Sequence, residues 1–170
     1  DLLYRRALEA LERTLGKDHV HTLASGNNLG RLLHAQGKLD EAELLLRRTL
    51  EAKERTLGKH HMSTLTSVNN LGLLFLEQGK LDEAELLFRR ALEGRERTLD
   101  KDHVDTLTSV SNLGLLHHDR GKLDEVELLF RRALETRERY CTMIGVSWMR
   151  PSCSSGGRSR PGNARWAKTT

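Results

Sequence analysis

The chain has 170 residues, with 28 basic and 24 acidic side chains and a formal net charge of +4. Residues 141–170 hold five of the basic side chains and no acidic one, so residues 1–140 carry 23 basic against 24 acidic side chains. The basic excess therefore comes from residues 141–170. The charge of residues 1–140 gives no support for nucleic-acid binding by that part of the chain. No apolar run approaches the ~20 residues that a membrane span requires.

Residues 1–15 are interpreted as the end of a repeated unit. Arg5–Glu9 (RRALE) aligns with Arg47–Glu51 (RRTLE) when the chain is shifted by 42 positions. The chain starts inside a helical pattern, without Met or a signal peptide, so we expect a fragment, in which the absence of a targeting signal says little. The expected location is cytoplasmic, where the two cysteines would remain free thiols. Since no capping helix closes either end, we expect residues 1–15 to fray and self-association to occur through the uncapped ends.

A ten-residue segment recurs with a fixed period. Gln36–Leu45 (QGKLDEAELL) is identical to Gln78–Leu87 and returns at Arg120–Leu129 as RGKLDEVELL. A period of 42 residues is typical of a solenoid, in which each copy buries its apolar face against its neighbours. Such a fold favours a surface that holds other molecules over a pocket for chemistry.

Each copy is predicted to form two helices. In the first, Leu29, Leu32 and Leu33 follow the i, i+3, i+4 spacing of a helical stripe. Gly37 then stands where a helix C-cap needs a positive φ angle. Acidic residues open the second helix, as the helix dipole favours. The stripe of that helix comprises Ala42, Leu45, Leu46 and Leu50, and i, i+4 ion pairs are expected for Glu43–Arg47, Glu85–Arg89 and Glu127–Arg131.

Residues 1–139 resemble the tetratricopeptide repeat family, in the 42-residue variety of kinesin light chains. The matching positions are Leu29–Gly30, Leu33 and Gly37 in the first helix, and small–large–small positions in the second, at Ala42, Leu46 and Thr49. The frequent Trp of the family is absent. The resemblance implies an all-α fold, an α-solenoid of antiparallel helix pairs, with a partial repeat at 1–15 and units near 20–57, 62–99 and 104–139.

The resemblance also implies a peptide-binding concave face lined by the first helix of each pair. Asn28, Asn70 and Asn112 precede the Leu–Gly pairs, and an amide offers both the donor and the acceptor that a peptide backbone needs. The alternative is that these asparagines only bridge adjacent helices. The neighbouring positions predicted to contribute are Asn27, Asn69, Arg31, Leu73, Leu115, His34 and Leu76, although the leucines could also pack against the next repeat.

The repeat pattern stops at Tyr140. Residues 140–170 form a basic segment that is rich in Ser, Gly, Arg and Pro from residue 151 onward, a composition that predicts a disordered tail. The two cysteines, Cys141 and Cys153, lie in it, and so do the two tryptophans, Trp148 and Trp166. Two thiols in such a segment make neither a disulfide framework nor a four-ligand metal site.

The sequence contains no convincing motif for metal binding, phosphate binding or catalysis. Adjacent histidines such as His60 and His61 point about 100° apart on a helix and rarely chelate one ion, so no metal is expected. Gly37–Lys38 is followed by Leu instead of Ser or Thr, which rules out a phosphate loop. The serines recur with the repeat, without a singular His–Asp partner set, at Ser25, Ser67 and Ser109. We therefore expect no catalytic site and no cofactor.

The predicted function is a protein–protein interaction scaffold that holds a peptide or partner helix in the concave groove. A narrower form is a kinesin light chain-like cargo adaptor. The alternative is a regulatory sensor arm of a larger nucleotide-binding signalling protein, or part of a multi-domain enzyme. The expected partner is a protein or peptide, with neither nucleic acid nor membrane.

Overall fold

The structure is a computed structural model that describes residues 2–99, 101, 103–122, 124–127 and 131. The helices are α1 (Leu2–Leu15), α2 (Val20–Ala35), α3 (Leu39–Leu57), α4 (Met62–Glu77), α5 (Leu81–Thr98) and α6 (Val104–Asp119). Residues 124–127 and 131 are also helical, and the described residues contain no strand. The all-α prediction is confirmed. The predicted disorder of residues 140–170 falls outside the described residues.

The helices pack in chain order. Each of them contacts the next one along the chain, and α4 additionally contacts α2 and α6. The structure therefore has two kinds of helix: α2, α4 and α6, the first helices of the predicted pairs, which we call A helices, and α1, α3 and α5, which we call B helices. This succession of stacked hairpins is the α-solenoid that the period predicts.

The turn between the two helices of a pair depends on one glycine. Gly79 has a φ angle of +73°, which a residue with a side chain adopts only at a cost. Its N–H donates to the carbonyl of Leu76 at 3.0 Å, and the N–H of Lys80 donates to the carbonyl of Phe75 at 2.9 Å. These two bonds form a Schellman motif, which ends the A helix and directs the chain into the B helix. The same φ angle occurs at Gly37, and Gly121 has +71°.

The core lies where an A helix and the following B helix meet closely. Phe88 on α5 is completely buried, and its ring packs against the backbone of α4 at Gly72. A Cβ atom at Gly72 would lie 2.7 Å from Phe88 Cε1, so only glycine allows this approach. Gly30 and Leu46 repeat the arrangement one unit earlier. The recurring Leu–Gly pair thus admits the large side chain of the small–large–small pattern.

At two junctions between units, a glutamate of one unit binds side chains of the next. Glu43 on α3 accepts hydrogen bonds from Arg47 on the same helix, and from Gln78 Nε2 and Lys80 Nζ of the following unit, both at 3.0 Å. Desolvation opposes ionisation of Glu43, but these hydrogen bonds outweigh it and lower its pKa to about 2. One unit later, Glu85 pairs with Arg89 and with Arg120 at 2.8 Å. The expected i, i+4 pairs therefore form, and two of them also join units.

The recurring histidines cap the A helices. His61 precedes α4, and its Nδ1 accepts a hydrogen bond from the N–H of Ser63 at 3.1 Å. His19 and His103 occupy the same place before α2 and α6. A side-chain acceptor at this position satisfies a backbone donor that the first helical turn leaves unpaired. Among the described residues, no group of three or more His, Cys, Asp or Glu side chains is arranged to hold a metal ion.

Candidate protein-binding face

The predicted asparagines lie on the A helices but differ in exposure. Asn28 on α2 is exposed, Asn70 on α4 is half-buried, and Asn112 on α6 is buried with 8% of its surface accessible. Asn27 and Asn69, the residues that precede the first two, are each 6% exposed. We call the solvent-facing side of α2, α4 and α6 the A-helix face. Asn28 and Asn70 are the asparagines of this set that reach it.

Hydrogen bonds between asparagines connect successive A helices. Asn70 Nδ2 donates to Asn27 Oδ1 at 3.1 Å, and Asn112 Nδ2 donates to Asn69 Oδ1 at 2.8 Å. Ser67 Oγ also donates to Asn27 Oδ1, at 3.0 Å, so this oxygen accepts two bonds. The amides thus form the helix bridge that the sequence left open as an alternative. The bond of Asn70 uses one of its N–H groups and leaves the other N–H and Oδ1 for further partners.

A buried cation lies beneath this row of amides in each of two units. Lys53 on α3 is 3% exposed, and its Nζ donates to Ser67 Oγ at 2.9 Å and to the carbonyl of Ser63 at 3.2 Å. Burial lowers the pKa of Lys53 to about 8, because the charged form loses its hydration. No carboxylate of the described residues pairs with this ammonium group. Its hydrogen bonds hold Ser67, and through Ser67 the amide of Asn27.

Arg95 on α5 takes the same place one unit later. It is 2% exposed, and its Nη1 donates to Ser109 Oγ at 2.8 Å and to the carbonyl of Asp105 at 2.7 Å. Burial lowers its pKa from the ordinary range. Leu11 stands at the corresponding position of α1, so the cation is a feature of the two later B helices. Sequence reasoning missed both cations, although the 42-residue alignment of Lys53 with Arg95, and of Ser67 with Ser109, carried the signal.

The remaining predicted residues divide between the surface and the core. Arg31 on α2 is exposed and Leu115 on α6 is 48% exposed, so both lie on the A-helix face. Leu73 and Leu76 on α4 are half-buried and pack against the core. His34 is half-buried and pairs with Glu77 on α4, which fixes it between two A helices. The face therefore offers an arginine, Arg31, at the α2 end and a leucine, Leu115, at the α6 end.

The described helices include none that is both long and apolar enough to cross a membrane. The A-helix face presents amide, guanidinium and leucine side chains to solvent, those of Asn28, Arg31 and Leu115. This set can hydrogen-bond a main chain, pair with a carboxylate and cover apolar groups.

Several solved structures are similar to this one. BtubC (BKLC) from P. vanneervenii matches with a TM-score of 0.71 and 21% identity, over 95% of this chain and 62% of that protein. The chain thus spans less than two thirds of BtubC, and the likeness at this identity shows the fold. A candidate kinesin light chain from Podosopora anserina, with nearly identical TPR-like repeats, matches with a TM-score of 0.69 and 25% identity, over 88% of this chain and 67% of that protein.

A point variant of the Podosopora anserina protein matches with a TM-score of 0.67 and 26% identity, over 88% of this chain and 68% of that one. Among curated proteins, none matches this sequence significantly. The family profile described as tetratricopeptide repeat matches residues 3–55, 27–97 and 64–139, which together cover most of the chain. The chain therefore belongs to the tetratricopeptide repeat family, with repeats of the kinesin light chain-like kind.

Proposed function

We propose that this protein is a non-catalytic scaffold that binds an extended peptide or a partner helix along the A-helix face, the inner side of the solenoid. Tetratricopeptide repeats generally mediate protein–protein interactions. The observation that carries the proposal is the amide of Asn70. One N–H is held by Asn27, and the rest of this half-buried group remains available beside the exposed Asn28 of the preceding unit.

The anchoring of Asn70 favours binding because it fixes the amide before a ligand arrives. A side chain that is already ordered loses little further entropy when it bonds a peptide main chain. Lys53 and Ser67 help to hold this amide in place. Lys53 donates to Ser67 Oγ, and Ser67 Oγ donates to Asn27 Oδ1, the oxygen that also accepts from Asn70. We regard the buried Asn27 and Asn69 as positioning residues under the face, and Asn112 as an amide held within it.

The residues around the amides indicate the chemistry of the ligand. Arg31 is exposed at the α2 end, where it can pair with a carboxylate. Leu115 is about half exposed at the α6 end, where it can cover an apolar side chain. The proposed ligand is therefore a segment with an acidic group near α2 and an apolar group near α6.

The narrower proposal is a cytoplasmic adaptor that holds cargo in the manner of kinesin light chains. Its support is the likeness to the repeats of the Podosopora anserina protein, at 25% and 26% identity. A heptad coiled coil in the same gene would support the adaptor, whereas a phosphate loop upstream would support a sensor arm instead.

A peptide-display selection tests the proposal. Random linear peptides selected on the full chain are measured against Asn28→Ala, Arg31→Glu and the control Leu44→Ser, which changes an exposed leucine of a B helix. We expect Asn28→Ala to weaken the selected peptides about tenfold, since each lost hydrogen bond is worth roughly 1 kcal/mol or slightly more. Arg31→Glu is expected to reject the acidic peptides. Peptides that bind both variants and the control with equal affinity would overturn the proposal.

A further inference from the structure

A groove lies between neighbouring B helices, away from the A-helix face. It is bounded by α3 and α5 and floored by α4, and its volume is about 290 Å³. Leu50, Leu71 and Phe75 form its apolar floor, and Leu86 stands at its edge. We call it the α3–α5 groove. The groove does not lie at an end of the described array, because α3 and α5 flank it.

Leu86 exposes most of its apolar surface at the edge of this groove. It is 70% exposed, and Leu44, one unit earlier, is 75% exposed. A single exposed leucine is ordinary on a protein surface. Here, however, the leucine adjoins a floor of buried leucine and phenylalanine side chains, and the combination makes a concave apolar site of the kind that binds a large side chain.

The groove carries excess negative charge. Glu51, Glu54 and Glu83 line it together with Arg47. Glu54 pairs with Arg90 at 2.5 Å. Lys80, which pairs with Glu43, lies 5.1 Å from the centroid of the Phe75 ring. Arg47 is directed to Glu43 at 2.9 Å and lies over the ring of Phe75, 5.0 Å from its centroid. Within the described residues, Glu51 and Glu83 form neither an ion pair nor a hydrogen bond. The charge of these two carboxylates is therefore available to a basic partner.

The preceding groove differs in this respect. Between α1 and α3, Glu41 pairs with Arg5 at 2.6 Å and Glu12 pairs with Arg48 at 2.9 Å. Glu83 is the counterpart of Glu41, yet its expected partner Arg47 is engaged elsewhere. The two grooves therefore have apolar residues at equivalent repeat positions and differ in their unpaired carboxylates.

The complementary chemistry occurs in the same chain. Residues 141–170 contain five basic side chains and no acidic one, together with both tryptophans, Trp148 and Trp166. A tether to the repeats also supplies a high effective concentration, which strengthens a weak contact without any added interaction. About 30 residues of fully extended chain span roughly 100 Å.

We propose that the α3–α5 groove binds this chain's own residues 141–170. A tryptophan of the segment packs on Leu86 and the apolar floor, while its arginine and lysine side chains face Glu51 and Glu83. This surface is separate from the A-helix face, so the inference does not rest on peptide binding there. The protein would then have a second binding surface, which a segment of the same chain occupies.

Tryptophan fluorescence of the full chain tests this directly, because Trp148 and Trp166 are its only tryptophans. At low salt the emission is expected to be blue-shifted and poorly quenched by acrylamide. Molar salt screens the carboxylates and is expected to reverse both effects. Leu86→Ser is expected to lower the docking equilibrium constant about tenfold, because a leucine contact is lost, and the quenching rises accordingly.

Matched variants identify the groove. Leu44→Ser changes the same repeat position one unit earlier and is expected to leave the emission unaltered. Glu51→Lys with Glu83→Lys reverses the charge without touching the floor and is expected to release the segment; circular dichroism confirms that each variant folds. Quenching that is the same in wild type, Leu86→Ser and the double-lysine variant would overturn the proposal. A blue shift that grows with protein concentration would overturn it too, in favour of a second copy.

Discussion

Lys53 provides a test of how the buried polar layer affects stability. The substitution Lys53→Met removes an ammonium group that is 3% exposed and has hydrogen bonds from Nζ to Ser67 and Ser63 as its compensation. Ser67 Oγ keeps its bond to Asn27 Oδ1 in the variant, because that bond does not involve the lysine. The substitution removes the buried charge together with these two hydrogen bonds, and the dependence of stability on pH separates the cost of the charge.

The magnitude follows from the pKa of Lys53. It falls from 10.5 to about 8 on folding, which corresponds to roughly 3 kcal/mol of destabilisation while the lysine is charged. Below pH 8 both the folded and unfolded states are protonated, and the penalty is complete. Between pH 8 and 10.5 the unfolded state binds more protons than the folded state, so the free energy of unfolding rises with pH and the penalty is lost.

Urea unfolding at several pH values measures this effect. We expect the wild type to gain about 2–3 kcal/mol relative to Lys53→Met between pH 8 and 10.5. Lys53→Arg is the control, because a guanidinium stays charged throughout and Arg95 shows that the site accepts it. Other titrating groups cancel in the comparison between variants. If the difference between wild type and Lys53→Met stays constant across this pH range, the pKa of Lys53 is not lowered and the reasoning is refuted.

Two further substitutions test the packing and the amide row. Gly72→Ala would place a Cβ atom 2.7 Å from Phe88, and we expect a loss of about 1–3 kcal/mol in urea unfolding; the same loss in a Phe88→Ala background would contradict the proposed clash. Asn112→Ala leaves the buried Asn69 Oδ1 without its donor, and we expect thermal or urea unfolding to show a loss of about 1–3 kcal/mol. Asn28→Ala, an exposed change at the same repeat position, is expected to alter stability by less than about 0.5 kcal/mol, and equal losses in the two would refute the assignment.

The fold could be predicted from the sequence because its main determinants are periodic. The 42-residue shift and the i, i+3, i+4 stripes predict helix pairs, which the structure contains. Gly37, Gly79 and Gly121 have the positive φ angles that their place after the A helix predicts. These features depend on short-range backbone chemistry, and a single sequence carries that information in full.

The environment of each side chain could not be predicted in the same way. Asn28, Asn70 and Asn112 share one repeat position, but their exposure decreases from the first to the third. A periodic pattern identifies equivalent positions and does not specify the neighbours that a given copy meets. The bond from Asn70 to Asn27 joins residues from two different units, so it depends on how the units stack.

The burial of charged residues, and the side of each helix that faces the core, were also difficult to predict from the sequence. A lysine on a charged helix is ordinarily expected at the surface. Lys53 is nevertheless buried, because Ser67 Oγ and the carbonyl of Ser63 accept hydrogen bonds from its Nζ. Leu44, Leu45 and Leu46 are consecutive, but only Leu46 is completely buried while Leu44 is 75% exposed. Rotation of α3 by one residue would exchange these roles, and the stacking of the units determines that rotation.

Because every substantial helix contact joins elements that are close neighbours along the chain, this protein can change length by whole units. Excising or duplicating 42 residues would bring similar hairpins together, and each junction would meet an equivalent partner surface. Recombination within a gene can therefore lengthen or shorten the rod without creating a new interface. The span of ligand that such a protein holds would then grow in fixed increments, one hairpin at a time.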